Sequence, residues 1–487
     1  MLAQIWDHTR TALGDLAASA SDLAEPTVRL GVTGLSGAGK TVFIVALVRH
    51  LLARSQLPLF APVAEGRILD AYLRPQPDDQ VPRFDYERHL AQLLGSPPHW
   101  PESTSKLSQL RLTVEYAPES FWGRTFGRGR LNIDIVDYPG EWLLDLPLLG
   151  WSFEEWSARM IAASRQEPRA PLAAAWHGDL AALDAGGPED ETAARKAAGL
   201  FTAYLAACRE ERFSLSALPP GRFLMPGDLA GSPALTFAPL DLPPGATAAK
   251  GSLHAMMARR YESYKQVVVK PFFRNHFVRL DRQIVLVDAL AALNAGPAAV
   301  GDLQQALGDI LACFRPGSGS WLDSILSRRI DRILFAATKA DHLHRSGHDR
   351  LQAILRGLCD RAIARAEFAG ARVDTVALAA IRATREATAG RGKAQLPCIV
   401  GVPQGGQRIA GRLLKDGEEI AVFPGELPEN PETALRQGRD APSAEEAELR
   451  FIRFCPPAAE AINGASPVFP HIRLDRALNF LLGDRFS

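Results

Sequence analysis

Apolar runs of two kinds alternate along most of the chain. Short runs of strand character are predicted at Val28–Thr33, Gln283–Val287, Arg332–Ala337 and Val373–Leu378. Apolar residues recur at helical spacing between them, at Thr41–Leu52, Gly301–Phe314 and His348–Phe368. Strands that alternate with helices are typical of a parallel sheet covered by helices. We therefore predict an α/β fold with a mostly parallel sheet.

Two further segments, Leu110–Tyr116 and Leu131–Val136, carry the alternating apolar residues of half-buried strands. A glycine-containing stretch joins them, so we predict an antiparallel pair. Residues 55–105 contain several prolines and little periodicity. We predict a long loop with short helices there.

Residues 141–280 break the alternation of strands and helices. Ala-rich patterns at 171–184 and 188–211 favour helices, and Ser152 with Glu155 has the signature of a capping box at a helix start. We predict a large helical insertion.

The two ends of the chain differ from its centre. Beyond residue 396 we predict a β-rich extension with a hairpin turn at 415–417, closed by a helix at His471–Leu482. Its predicted strands are Cys398–Val402, Gln407–Leu414 and Glu419–Phe423. At the start, apolar residues at helical spacing predict an amphipathic helix over 1–27.

Composition excludes several classes of protein. Hydrophobic residues make up 47% and charged residues 23%, which excludes wholesale disorder. The 55 basic and 55 acidic residues cancel, which argues against a nucleic-acid partner. The 5 cysteines include no C-x-x-C pair, which argues against a disulfide framework or structural zinc. The sequence shows no apolar span and no signal peptide, so we expect a cytoplasmic protein.

The strongest motif follows the first predicted strand and matches the phosphate-binding loop G-x-x-x-x-G-K-[ST] as Gly34-Leu35-Ser36-Gly37-Ala38-Gly39-Lys40-Thr41. Glycines let the backbone amides of such a loop surround phosphates, and the next helix directs its N-terminus at them. Lys40 is predicted to bind the β- and γ-phosphates and act in catalysis, and Thr41 to bind Mg²⁺. The sequence therefore predicts a nucleotide site.

A second motif, Asp137-Tyr138-Pro139-Gly140, ends the strand Leu131–Val136. A carboxylate at this place in a P-loop protein holds Mg²⁺, so Asp137 is a predicted metal ligand. The Gly140 amide is a predicted γ-phosphate donor that moves when the phosphate leaves.

A third motif, Thr338-Lys339-Ala340-Asp341, follows the strand Arg332–Ala337 and matches [NT]-K-x-D. The Asp341 carboxylate can accept two hydrogen bonds from guanine, whereas adenine would leave it unpaired at a cost. The Lys339 stem can lie along the base. We predict that Thr338, Lys339 and Asp341 bind a guanine base.

Weaker candidates complete the predicted site. Thr104 is a candidate Mg²⁺ ligand and catalytic switch residue, with Ser103 and Ser105 as competitors. The amides of Ala379 and Ala380 follow a strand and could bind guanine O6. Glu141 is a candidate for orienting the attacking water, although a carboxylate there would repel the γ-phosphate.

With these motifs in hand, the chain resembles the YcjX-like family of bacterial P-loop, Ras-like GTPases. The segments 100–104, 137–142 and 379–384 carry the resemblance together with the phosphate-binding loop and the third motif. The resemblance implies a Ras-like GTP-binding core, binding of GTP and GDP with Mg²⁺, GTP hydrolysis and a stress-linked role. Family members occur with a YcjF-type membrane protein, which suggests that protein as a partner and a peripheral location at the inner membrane.

Together these patterns divide the chain as follows: an N-terminal helix 1–27, a first part of the GTP-binding core 28–140, a helical insertion 141–280, a second part of the core 281–396 and a β-rich extension 397–487. Two alternatives stay open, a P-loop ATPase and a nucleotide-gated scaffold with negligible turnover. The sequence also leaves open a nucleotide-dependent dimer and an arginine finger acting in trans.

Overall fold

The computed structural model describes residues 25–35, 37–55, 57–102, 106–119, 128–210, 212–312, 330–368, 370–390, 395–409, 412–415, 417–435, 451–458 and 467–486. The predicted N-terminal helix up to residue 24 lies outside this part of the chain, as do Ser36 and the 103–105 hydroxyl residues.

The core of the fold is a seven-stranded sheet of order β2-β3-β4-β1-β5-β6-β7. Its strands are β1 Thr27–Gly34, β2 Ile68–Arg74, β3 Ser108–Tyr116, β4 Gly129–Asp137, β5 Arg282–Val287, β6 Arg332–Ala337 and β7 Arg372–Ala377. The five strands from β4 to β7 are parallel, and β3 pairs antiparallel with β4. These pairings confirm the predicted mostly parallel sheet and the antiparallel pair.

The edge strand β2 corrects one prediction, because residues 55–105 are not only loop and short helices. β2 pairs antiparallel with β3 and only Ala71 within it is fully buried. An edge strand that is half-buried on both faces shows little alternation, so the pattern did not reveal it. The helices of this region are α2 Ala61–Ala64 and α3 Tyr86–Leu93.

Strand β5 contributes side chains to two hydrophobic layers. Ile284 and Leu286 of β5 pack in the layer of helices α1 Lys40–Leu52 and α13 Leu474–Leu482. Val285 and Val287 pack on the opposite face, where α9 Ala289–Ala295, α10 Pro297–Ala312 and α11 His348–Phe368 lie. Side chains of a strand alternate between faces, which explains how the uninterrupted apolar run of β5 fills both layers.

Between β4 and β5 the chain is helical. A 3₁₀ segment Gly140–Gly150, here called the 140–150 segment, leads into the helices α4 Phe153–Ser164, α5 Ala174–Leu180, α6 Glu191–Arg209, α7 Gly221–Leu224 and α8 Leu253–Tyr264. Helix α8 continues in wider π-type turns to Phe277. The predicted capping box is present, since Ser152 and Glu155 exchange hydrogen bonds at the start of α4. Trp156 and Trp176 are buried at the centre of these helices.

After β7 the chain forms a small antiparallel sheet of β8 Arg385–Ala389, β9 Leu396–Gly401 and β12 Ile420–Val422. The predicted hairpin at 415–417 is wrong in its pairing, because β12 pairs with β9, while β10 Arg408–Ile409 pairs with β11 Arg412–Leu413. A short helix α12 Pro431–Leu435 follows. Helix α13 confirms the predicted closing helix and packs on the main sheet. No helix in the described ranges is long and apolar enough to cross a membrane.

Candidate functional site

The phosphate-binding loop leaves the end of β1 and enters α1. Gly37 and Gly39 adopt left-handed conformations with φ of 75° and 81°, which side chains disfavour. The Lys40 side chain folds back over the loop and its Nζ donates a hydrogen bond of 2.8 Å to the Gly34 carbonyl. Lys40 is 8% exposed, so its ammonium lies within the loop rather than in solvent.

The second motif touches the first. Asp137, the last residue of β4, lies beside Val32 of β1 in the sheet register. A Cβ added to Gly140 would lie 2.3 Å from the Gly34 carbonyl oxygen, so the two backbones are in close contact. Only a glycine at position 140 allows this approach.

The oxygen atoms predicted to hold Mg²⁺ are both buried. Asp137 is 1% exposed, and Thr41 in the first turn of α1 is 5% exposed. A carboxylate and a hydroxyl are the hard oxygen ligands that Mg²⁺ prefers, and such sites keep several waters and use nucleotide phosphates as further ligands. The residues therefore fit that ion. Thr104, the third predicted metal ligand, lies outside the described residues.

The third motif turns away from β6. Lys339 has a left-handed φ of 59°, and its Nζ contacts the carboxylate of Asp288, the residue that follows β5. Asp341 is 4% exposed, and its Oδ2 accepts a hydrogen bond of 2.9 Å from the Ala383 amide. The segment after β7 thus lies beside Asp341, and Thr338 at the start of the motif is also buried.

The two predicted amides after β7 differ in their partners. The Ala379 amide donates to the Ile472 carbonyl at 3.1 Å, and the Ile472 amide donates back at 2.8 Å. The Ala379 amide is therefore the less suited of the two to bind a base. The assignment of Ala379 and Ala380 to guanine O6 stays a prediction.

One cavity of about 360 Å³ brings parts of all three motifs together. Its wall includes Gly34, Leu35 and Gly37 of the loop, Gly140 of the second motif with the adjacent Glu141, and Lys339 and His342 around the third. Among the described residues, several predicted ones are absent from this wall: Ala38, Gly39, Lys40, Thr41, Asp137, Thr338, Asp341, Ala379 and Ala380. In the sequence, Asp341 lies between two residues that line the cavity, Lys339 and His342.

The cavity also has lining residues that the motifs do not contain. They include Asp288 after β5, Arg209 at the end of α6, and Phe451 and Arg453 near the C-terminus. Asp288 follows a buried strand as Asp137 does, so a carboxylate at a strand end could have indicated it. No local pattern indicates the others, because their neighbourhood depends on how distant segments pack.

The electrostatics of the wall are mixed. Glu141 is 3% exposed, and the Nη2 atom of Arg209 lies 3.7 Å from its Oε1. Burial lowers the pKa of His342, which favours the neutral imidazole. The wall holds the cations Lys339, Arg453 and Arg209 together with the carboxylates Asp288 and Glu141. Lys339 contacts Asp288, and Arg209 lies beside Glu141.

Comparison with known proteins places the chain in a family. A model described as the YcjX-like family, DUF463, matches residues 28–486. A protein of Escherichia coli (strain K12) named Ras-like GTPase YcjX is 38% identical over 471 residues, which is 94% of this chain and 96% of that protein. A protein of the same name from Shewanella oneidensis is 36% identical over 485 residues, covering 95% of this chain and 96% of that protein.

These matches span the sheet, the helices between β4 and β5, and the C-terminal segments, and they agree with the P-loop NTPase core that the strand order and the first motif describe. The chain belongs to the YcjX-like family.

Proposed function

We propose that this protein binds GTP and GDP together with Mg²⁺ and hydrolyses GTP to GDP and phosphate. The observation that carries the proposal is one cavity whose wall contains Gly34 and Gly37, Gly140, and Lys339. Those residues come from three motifs spread over the chain in the order that GTPases use. The two curated relatives are both named Ras-like GTPase, which supports the same activity.

The chain's own residues have distinct roles in this proposal. Lys40 leaves the Gly34 carbonyl to bind the β- and γ-phosphates, and the loop amides surround them. Thr41 and Asp137 hold Mg²⁺, which, when bound, neutralises charge on the phosphates. Asp341 accepts hydrogen bonds from guanine. Gly140 contacts the γ-phosphate, and the Gly140 backbone moves when that phosphate is released. This movement makes the protein a nucleotide-dependent switch in a stress-linked process.

The experiment that tests the proposal is a base-selectivity titration followed by turnover. We expect micromolar or tighter binding of GTP and GDP, with a clear preference over ATP and ADP. Lys40→Ala should abolish phosphate release, whereas Lys196→Ala, at an exposed lysine that pairs with Asp179, should leave it unchanged. Equal affinity for ADP and GDP would defeat the guanine assignment and favour the ATPase alternative.

Glu141 supports a second candidate, a nucleotide-gated scaffold with negligible turnover. A buried carboxylate beside Gly140 would repel a γ-phosphate unless a cation compensates it. Sustained, Lys40-dependent phosphate release would exclude this candidate. The cytoplasmic location, the YcjF-type partner and a nucleotide-dependent dimer stay predictions of the sequence.

A further inference from the structure

An arginine of the helices between β4 and β5, residues 153–277 and here called the helical region, lies beside Glu141, the residue that follows the second motif. Arg209 is the last residue of α6, and its Nη2 atom lies 3.7 Å from Oε1 of Glu141. Arg209 lines the same cavity as Gly34, Gly37 and Gly140. Gly140 in turn packs against the Gly34 backbone, so Arg209 shares a cavity wall with the start of the phosphate-binding loop.

The end of α6 is firmly anchored. Tyr204, Leu205 and Cys208 in its last turns are buried in the core of the helical region. Tyr204 stacks on Trp176 with ring centroids 5.2 Å apart, and its hydroxyl accepts a hydrogen bond of 3.2 Å from Arg169. The helix therefore holds the Arg209 backbone at a fixed place, while the side chain is 26% exposed and lines the cavity.

The same helical region packs against the 140–150 segment and hydrogen-bonds to it. The Gly221 amide donates to Asp145 at 2.7 Å, and a Cβ on Gly221 would lie 1.8 Å from the Glu141 carbonyl oxygen. The Trp142 indole donates to the Met225 carbonyl at 3.1 Å. The backbones of Arg209 and of the 140–150 segment thus belong to one packed unit.

The geometry of the pair differs from that of a structural ion pair in this molecule. Arg111 and Asp134 meet in a bidentate pair at 2.6 and 2.7 Å. Arg209 stands 3.7 Å from Glu141, and within the described part of the chain the Glu141 oxygens accept no hydrogen bond. Charge-assisted hydrogen bonds of this type are about 2.7–2.9 Å long. The contact between Arg209 and Glu141 is therefore an ion pair at 3.7 Å and not a direct hydrogen bond.

We propose that Arg209 is an arginine finger supplied in cis by the helical region, an inference that rests on the proposed function. When a triphosphate occupies the cavity, the Arg209 guanidinium turns from Glu141 to the γ-phosphoryl oxygens. Water forms the new bond to the γ-phosphorus, the bond to the β–γ bridging oxygen breaks, and its electron pair stays on GDP. A water proton passes to a γ-phosphate oxygen, and Arg209 stabilises the charge on that group throughout.

The contact between Arg209 and Glu141 gives both residues a part in the step. Arg209 supplies the compensating cation that a carboxylate beside a γ-phosphate needs. Once the guanidinium turns to the phosphate, the Glu141 carboxylate is available to orient the attacking water. An arginine finger is worth roughly 10³–10⁵ in kcat, which sets the size of the expected effect.

Single-turnover hydrolysis with GTP and with ATP tests the inference on the full-length protein. We expect Arg209→Ala to slow hydrolysis by about 1,000-fold or more while GTP affinity changes by less than about threefold. Arg209→Lys should not restore the rate, because lysine lacks the planar fork. Arg195→Ala, at an exposed arginine on the same helix that pairs with Glu191, is the matched control and should keep the wild-type rate.

Two further measurements separate catalysis from folding. The Mg²⁺–GDP–aluminium fluoride complex should form with the wild type and the Arg195 variant and be lost in Arg209→Ala. Arg209→Ala leaves Glu141 buried without its cation, which could impair folding. Thermal unfolding is therefore measured for Arg209→Ala and for the double variant Arg209→Ala/Glu141→Gln, to confirm that both variants fold.

Hydrolysis within about threefold of wild type in Arg209→Ala, or a fluoride complex that persists, would overturn the inference while leaving the GTPase proposal intact. Arginine-dependent hydrolysis of ATP without preference for GTP would do the reverse, supporting Arg209 and refuting the guanine assignment. A folded wild type that binds GTP without turnover would overturn the arginine inference and favour the scaffold.

Discussion

A buried carboxyl group inside the 140–150 segment predicts an unusual pH dependence. Asp145 is 2% exposed and accepts hydrogen bonds from the Tyr264 hydroxyl at 2.6 Å and the Gly221 amide at 2.7 Å. Burial raises the pKa of Asp145 from 3.8 to about 6, although both hydrogen bonds and the nearby Arg222 oppose that rise. The carboxyl group is therefore easier to protonate in the folded protein than in the unfolded chain.

The sign and size of the effect follow from linkage. A group whose pKa is raised on folding gives its full stability below the unfolded pKa and loses it as pH rises through the folded pKa. A rise from 3.8 to about 6 corresponds to about 3 kcal/mol at 1.36 kcal/mol per unit. The protein should lose about 2 kcal/mol of this stability as pH rises from about 4.5 to about 7.5.

Urea unfolding of wild type and Asp145→Asn across that pH range measures the effect. The amide of the variant is neutral at every pH and can still accept a hydrogen bond from Gly221. The free energy of unfolding of Asp145→Asn minus that of wild type should therefore increase by about 2 kcal/mol as pH rises from about 4.5 to 7.5. Asp241→Asn, at an exposed aspartate that pairs with Arg165, is the control and should track wild type. Parallel pH profiles for Asp145→Asn and wild type would refute the reasoning.

Two further predictions concern the motifs. Asp341→Asn should move base preference from guanine towards xanthine nucleotides, since the exchanged group becomes a donor; competition between XTP and GTP measures this, with exposed Asp349→Asn as control. An unchanged preference would contradict the assignment. Gly140→Ala should lower the free energy of unfolding by about 1–3 kcal/mol, because its Cβ would lie 2.3 Å from the Gly34 carbonyl oxygen. Gly150→Ala, whose Cβ would meet nothing within 4 Å, should not, and equal urea midpoints for the two variants would count against the contact.

The sheet was predictable where strands are buried on both faces. The apolar runs of β5 and β6 fill two layers, so each stands out against the polar turns beside it. The edge strand β2 was missed because its residues are half-buried and its alternation is weak. Pairing in the C-terminal region was predicted wrongly because β12 reaches back to β9, and a turn signal between neighbouring segments carries no information about such distant partners.

The site was predictable only as far as its residues lie in motifs. Phosphate and metal chemistry need fixed residue types at fixed spacing, so Gly34–Thr41 and Asp137–Gly140 stand out in the sequence as candidates for those roles. Arg209 could not, since it is brought to Glu141 by the packing of α6 and not by any neighbouring residue. Arginines at helix ends are common, and only the cavity distinguishes this one.

The packing of the 140–150 segment determines which surface of the protein can change when the bound nucleotide changes. Residues 140–146 are buried against the helical region, and Trp142 is held between the Arg222 guanidinium, 3.2 Å from its ring centroid, and the Phe272 ring at 5.3 Å. Packed interiors do not deform continuously, so a displacement of Gly140 has to shift the helices that cover it. The surface that changes with the nucleotide should therefore be that of the helical region rather than that of the segment itself. Since Arg209 belongs to the same region, the element that completes the site would also be the element that reports its state.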